Sequence, residues 1–391
     1  MRSHCDFIFS SCLPLYAAVA CVICFGCRRP IDPGTAARPI TPECVAVNES
    51  FSRLVSRAQS FREIVRPIRE FSLETTDLSI VGQVDDVRPH RKGFVISDYS
   101  VVRQVFLFSR SGLFVSALGR EGDAPGEYRE PRDVTVKSNG NVLVLSRGNQ
   151  RIVEYTEDGR FEGDYSLKDL GIRPDKMFLS PHDQLWYFYN LDGDYQGVGR
   201  GRKVIVARLV GERFEFVRAF GEGEPTLSRL FFSGGAFQVR NDATIWLQKV
   251  FELEMEIYGP SGQLLQAVED PRSRLPEPYL TSATLADFDR PSAAADTYLA
   301  TTSPWVFRFF SNLVVASYWS GARQSLILLF YDDCGRLIES ALTEGDDSIY
   351  PLVRGTWGDT MAVLIDVDPD SMDGLRDVPN PTVQLYRLAK E

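Results

Sequence analysis

The sequence predicts an all-β fold: a six-bladed β-propeller over residues 70–391, each blade a four-stranded antiparallel sheet. Three observations lead there. From Ile80 onward, short β-rich runs alternate with turn residues. One four-strand pattern recurs, with Gly112 and Gly159 in matching places 47 residues apart, a blade-sized period. No helix-period pattern competes with it through this body.

The clearest unit begins at Gly126-Glu127-Tyr128-Arg129-Glu130-Pro131 and the strand Asp133–Val136. A turn at Ser138-Asn139-Gly140-Asn141 carries the strong Asn-Gly hairpin signal. Next come Val142–Leu145, the loop Ser146-Arg147-Gly148-Asn149-Gln150, and Arg151–Tyr155. Thr156-Glu157-Asp158-Gly159 turns the chain into a last strand at Arg160-Phe161. The preceding unit is a diverged copy, with Gly93–Asp98, Arg103–Phe108 and Ser111-Gly112 in matching places. Four fainter copies follow, around Gln184–Ala207, Asn241–Gly262, Asn312–Gly335 and Gly358–Tyr386. Closing the ring requires a partner for the final strand near Val383–Leu388, and Glu70-Phe71-Ser72-Leu73 is the natural candidate. Insertions at 190–203 and 266–304 lengthen the later units; they carry Tyr195, Arg200, Arg202, Tyr279 and Tyr298, residue types favoured at binding surfaces.

Ahead of the body lie a signal segment (1–27) and a tether with one short helix (28–69). Phe7 to Phe25 is mostly apolar and ends in Cys24-Phe25-Gly26-Cys27. Gly26-Cys27 resembles the end of a bacterial lipobox, which implies lipidation of Cys27 and a membrane anchor of two or three acyl chains. An ordinary signal peptide and an uncleaved anchor are the other readings; all three export the body. Pro30, Pro33, Gly34, Pro39 and Pro42 break regular structure in the tether. A helix is expected over about Glu49–Ile64, capped by Asn48, with Phe51, Leu54, Val55 and Ala58 on one stripe.

Formal net charge is −10. Residues 28–69 hold eight Arg against four acids, net +4, and residues 1–27 cancel, which leaves −14 on the body. A negative body disfavours nucleic acid. A basic arm suits an anionic membrane surface. Beyond Cys27 the thiols are Cys44 and Cys334, and whether they pair is open.

The unit from Gly126 to Gly159 resembles an NHL repeat, matching it at Gly126, Glu127, Tyr128, Pro131, Gly140, Gly148, Asn149, Arg151, Ile152, Asp158 and Gly159. Ser146 replaces the motif's Asp, which Asp98 holds one unit earlier. With its signal, the chain resembles bacterial six-bladed β-propeller lipoproteins with NHL-like repeats. That resemblance implies fold and envelope location more than an activity, and implies for Arg151 a structural salt link, expected to an acid of the neighbouring blade.

The only histidines are His4, His90 and His182, the last two beside prolines in turn-like stretches. Beyond the signal segment no nucleophile elbow, phosphate loop or metal-spaced Cys pair is present. Asp366, Asp368, Asp370 and Asp373 alternate before Gly374, a weak pattern for Ca²⁺ without the closing Glu of an EF-hand; no other cofactor is expected. Arg132 and Asp133 open an innermost strand, Asp85 and Asp86 precede the corresponding strand of the previous unit, and all four are expected at the mouth of the central channel. The functional expectation is a monomeric envelope protein that binds or scaffolds an unidentified partner or small ligand. The alternative is a lactonase-like hydrolase or lyase using a channel-bound divalent metal.

Overall fold

Tight turns set the strand boundaries. Five of them share one form, in which a glycine N–H bonds back to the residue three before it: Ser109–Gly112, Lys137–Gly140, Thr156–Gly159, Gly259–Gly262 and Asp332–Gly335. Each glycine has φ between +77° and +95°, the left-handed region that L side chains rarely adopt. Ala243 takes the same place after Arg240 with φ of 61°.

The computed structural model describes residues 59–99, 101–180, 184–190, 197–222, 236–240, 243–248, 254–269, 303–310, 313–320, 325–332, 335–342, 352–365 and 380–389. All belong to one unit, Ile40–Glu391. Its strands form small antiparallel sets. The first set is β3 (Asp86–His90), β4 (Gly93–Asp98), β5 (Gln104–Ser109) and β6 (Phe114–Ala117). The second is β7 (Pro131–Val136), β8 (Val142–Ser146), β9 (Arg151–Tyr155) and β10 (Phe161–Ser166). The third is β11 (Lys176–Leu179), β12 (Trp186–Tyr189), β13 (Arg202–Val210) and β14 (Arg213–Glu222). A fourth contains β15 (Ala236–Val239), β16 (Ile245–Gln248), β17 (Glu254–Tyr258) and β18 (Leu264–Glu269). Next come β19 (Ser303–Phe310), β20 (Leu313–Ser320), β21 (Ser325–Tyr331) and β22 (Leu337–Leu342), with β1 (Gln59–Ser60) parallel on the edge of β22. The last set joins β23 (Leu352–Trp357), β24 (Thr360–Ile365) and β25 (Thr382–Leu388) to β2 (Val65–Ser72).

By hydrogen bonding these make five sheets, where six separate ones are expected from the sequence. The second and third sets merge because Ser166 of β10 pairs with Arg213 of β14 in parallel. The sets nevertheless follow one another around a ring. First strands touch in sequence, β3 with β7, β7 with β11, β11 with β15, β15 with β19 and β19 with β23, and β23 returns to β3. At that return a Cβ on Gly355 would stand 2.1 Å from the Val87 carbonyl oxygen, so only glycine permits the approach. The fold is a β-propeller.

Apolar clusters lie between consecutive sets. Val95, Val105 and Leu107 of the first meet Val134, Val144 and Val153 of the second, and Phe94, Ile96 and Phe106 meet Ala362, Val383 and Leu385 across the closure. Strands β4, β8, β12 and β16 are therefore buried along their whole length, which explains their continuous apolar runs. Each fully buried Val, Leu or Phe stabilises by about 1.5–3 kcal/mol.

The closing pair is the one expected, β2 on β25, with Phe71 opposite Val383 and Ser72 opposite Thr382; the strand starts upstream, at Val65 opposite Leu388. Asn380 pins the return. Its Oδ1 accepts from Val81 N–H (2.8 Å) and its Nδ2 donates to the carbonyls of Glu74 (2.8 Å) and Ser79. The expected helix differs. Of Glu49–Ile64, only 59–64 is described: Gln59–Ser60 is a strand and Phe61–Ile64 (α1) a single helical turn. The edge of β22 offers backbone partners, and Phe61 and Ile64 bury against Leu328, Phe330 and Met361. Cys27, Cys44, Cys334, His182, Tyr195, Tyr279, Tyr298 and Asp366–Asp373 lie outside the described residues. Among the described residues no helix is long and apolar enough to cross a membrane.

The turn after β3 docks on the second set. Buried His90 donates Nε2–H to the Gly140 carbonyl (2.9 Å) and accepts Lys92 N–H at Nδ1 (3.2 Å), the bonds of a neutral imidazole. Arg91 and Lys92 pair with Glu157 and Asp158.

Two predictions follow from these contacts. Asn380→Ala strands a buried amide and two carbonyls, so urea denaturation should show a loss of about 2–3 kcal/mol; a loss under about 0.5 kcal/mol would count against the latch. Burial, opposed by the Gly140 bond and by Glu157 and assisted by Lys92 and Arg91, holds the His90 pKa below its ordinary 6.5. A depressed folded-state value means that the unfolded chain takes the proton first, so this contribution is present above pH 6.5 and lost as pH falls below it. The drop in denaturation midpoint from pH 7 to pH 5 should be smaller in His90→Gln; equal drops would exclude the coupling.

Candidate functional site

The first strands of the first three sets begin at one end of the ring with charged residues. Three matching positions carry Asp86, Asp133 and Lys176, which pair with Ser97, Leu145 and Tyr189 at corresponding places on the second strands. Asp98, at the end of β4, fixes the approach to this end. Its two oxygens accept from the N–H groups of Gly82, Gln83, Val101 and Val102 at 2.7–2.9 Å. Ser146 stands in that place in the second set and accepts from Arg129 N–H (2.8 Å), a shorter side chain doing part of the same work.

The expected residues Asp85, Asp86, Arg132 and Asp133 lie at or just before the starts of the first strands of the first two sets, in different roles. Asp85 is buried and accepts from Tyr99 N–H (2.8 Å). Asp86, fully buried, holds Arg88 at 2.7 Å. Asp133 is the hub. It lies 3.5 Å from the Arg88 guanidinium and 3.8 Å from Lys176 Nζ, and accepts from Met177 N–H at 2.7 Å. These contacts bridge the first set to the second and the second to the third. Lys176 also donates to Tyr99 Oη (3.1 Å), with its Nζ 5.4 Å from the ring centroid, so Tyr99, just past β4, ties the first set to the third. Arg147 and Asp175 form a flanking pair at 3.5 Å.

Arg132 occupies a bulge. Pro131 pairs with Ser146 and Asp133 with Leu145, leaving Arg132 as the extra residue, and a bulge re-aims the side chain it carries. It is half-buried, with its Nε shut off from water.

Burial works against the Arg88 charge, but Asp86 and Asp133 outweigh it and raise its pKa. Burial also raises Tyr99, with Lys176 opposing and the three aspartates adding, so the phenol stays protonated. Among the described residues no three His, Cys, Asp or Glu side chains gather as metal ligands.

The sequence did not single out Arg88, Tyr99 or Lys176. Arg88 had a signal, since it lies two residues from Asp86 on the same strand face. Lys176 opens a unit that lacks the Gly-Glu-Tyr lead of its predecessor, so its place was hidden. Arg151 needs correction. Its acid is Asp164 at 3.1 Å, on β10 of its own set, and it donates to the carbonyls of Ala124 (2.8 Å) and Glu127 (2.6 Å). The antiparallel register puts Ser166 opposite Arg151 and Asp164 within reach, so no neighbour is needed.

The family model described as a domain of unknown function, DUF4934, matches residues 44–215, from ahead of β1 into β14. No curated protein matches the chain. Among solved structures, an exported-protein candidate from Bacteroides fragilis superposes with a TM-score of 0.60 at 14% identity, covering 85% of this chain and 97% of that one. A member of the DUF4221 family from Bacteroides vulgatus gives 0.56 at 6% identity, covering 84% and 99%. These likenesses share the fold.

Asp133→Ala should remove a buried anion from beneath Arg88 and Lys176 and strand the Met177 amide. A stability loss of about 2–4 kcal/mol is expected in chemical denaturation. A double-mutant cycle with Arg88→Met should show coupling; additive losses would deny the bridge.

Proposed function

We propose that this chain is an exported, lipid-anchored, six-bladed propeller of the bacterial envelope, with NHL-like blades, that binds a ligand or partner at the ring mouth without turning it over. The blade count treats the eight-stranded sheet as two blades joined by the Ser166–Arg213 pair. The apolar clusters between successive sets support it. Export rests on the apolar segment ending at Gly26-Cys27, and the exported candidate from Bacteroides fragilis is in keeping with it.

One observation carries the binding reading. The acids at the mouth are already committed, Asp86 to Arg88, Asp133 to Arg88, Lys176 and the Met177 amide, and Asp85 to the Tyr99 amide. A general base needs an oxygen within reach of substrate and a pKa near the working pH. Carboxylates pinned beneath cations instead preorganise those cations, which suits recognition.

The test has two arms. Alkyne fatty-acid labelling should mark the wild type and not Cys27→Ser; equal labelling would remove the lipid anchor. Envelope components cross-linked to the wild type should be lost when residues 270–302, between β18 and β19, are replaced by a short Gly-Ser linker, with the far-ultraviolet circular dichroism unchanged. Metal-dependent hydrolysis of lactone or ester substrates, abolished by Asp86→Ala or Asp133→Ala, would replace binding with the hydrolase or lyase reading.

A further inference from the structure

The charges at the ring mouth are sorted by depth. Asp86 and Asp133 keep almost no exposed surface, and Asp85 and Asp175 keep less than a tenth. The cations above them stay partly open: side-chain exposure is 17% for Arg88, 23% for Arg147 and 32% for Lys176. The acids therefore lie behind the cations. A ligand arriving at this end meets guanidinium and ammonium groups, although the body as a whole is strongly acidic.

Arg132 supplies an independent observation. Among the described residues it makes no ion pair and no hydrogen bond, and its buried Nε has no partner. The Nε of Arg88, Arg147 and Arg151 is buried in the same way, but those guanidiniums are held by ion pairs, whereas Arg132 has none, so its desolvation is left uncompensated. The bulge that displaces Arg132 from the ladder is a second local cost at the same residue. Its neighbour Asp133 cannot neutralise it, because that carboxylate is turned to Arg88, Lys176 and the Met177 amide. A guanidinium has five N–H donors in a planar fork that matches the paired oxygens of an oxyanion.

We propose that the ring mouth binds an oxyanion group, a carboxylate, sulfate or phosphate carried by the ligand, with Arg132 as its anchoring cation and Arg88 and Lys176 as flanking cations. This rests on the binding reading above and names the ligand class for the same site. The buried aspartates hold Arg88 and Lys176 in place before the ligand arrives, so little side-chain order is lost on binding.

Calorimetric titration of the folded protein with glucuronate, inorganic sulfate and inorganic phosphate, each up to about 10 mM, tests this, with glucose as the neutral control. At least one of the three anions should bind and glucose should not. Affinity should fall at least about tenfold in Arg132→Gln and recover in part in Arg132→Lys, since a bidentate fork becomes a point charge. It should also fall between about 0.05 M and 0.3 M salt. Arg160→Gln, at an exposed turn, should bind like the wild type. Which anion binds distinguishes a carboxylate-bearing ligand from a sulfated or phosphorylated one. No heat with any of the three, or equal affinity in wild type and Arg132→Gln, overturns the inference. A captured envelope ligand that is neutral or cationic also overturns it while the binding reading stands; capture of nothing removes that reading itself.

Discussion

Closure of the ring depends on the pairing of β2 with β25. A strand from the start of the chain completes a sheet whose other three strands come from its end. Without it the last set would expose the open edge of β25, and the apolar faces of the first and last sets would lose their partner. The pairing brings Val383 and Leu385 against Phe94 and Ile96, and carries β23 up to β3, where Gly355 lies against the Val87 backbone. Asn380, two residues before β25, ties down the loop entering the first set. β1 and α1 extend the same clasp to β22. One short stretch, Gln59–Ser72, thus joins two sheets of the ring.

Stacking of consecutive sets decides which charges meet. Asp86 and Arg88 belong to one strand, but Arg88–Asp133 and Asp133–Lys176 bridge different sets, and Lys176–Tyr99 joins the third to the first. Burying such a network costs desolvation that pairing only just offsets, whereas removing one partner leaves an uncompensated buried charge. The residues that give the second unit its NHL-like appearance serve construction. Tyr128 donates to the Leu118 carbonyl, Tyr155 to that of Gly126, Arg151 ties its strand to the preceding loop, and Glu127 receives Arg120. The features that mark the repeat and the features available to a ligand are therefore different residues within the same set.

Turn chemistry and strand composition were legible because both are local. Ser111-Gly112, Asn139-Gly140, Asp158-Gly159 and Ser261-Gly262 demand a left-handed residue wherever they stand, and runs such as Val142–Leu145 can be buried on both faces only inside a stack of sheets. The closing strand was legible too, since a four-strand period leaves the final unit one strand short. Of the segment before it only 59–64 is described, and there the open edge of β22 took Gln59 and Ser60 into backbone pairing, an edge that no local spacing reveals.

At the site, the sequence by itself determined which residues open the first strands, because position within a repeat is a matter of counting; Asp85, Asp86, Arg132 and Asp133 came from that. What only the tertiary structure decided is the division of labour among them. Asp133 became a hub and Arg132 an unpartnered donor through a single bulge and through contacts made by Arg88 and Lys176, which stand 45 residues before and 43 after Asp133 in the chain. Such contacts carry no local signature, since the ring alone brings those strands together. The merging of two sets through Ser166 and Arg213 is of the same kind, a one-residue pairing set by how neighbouring sheets lean on each other.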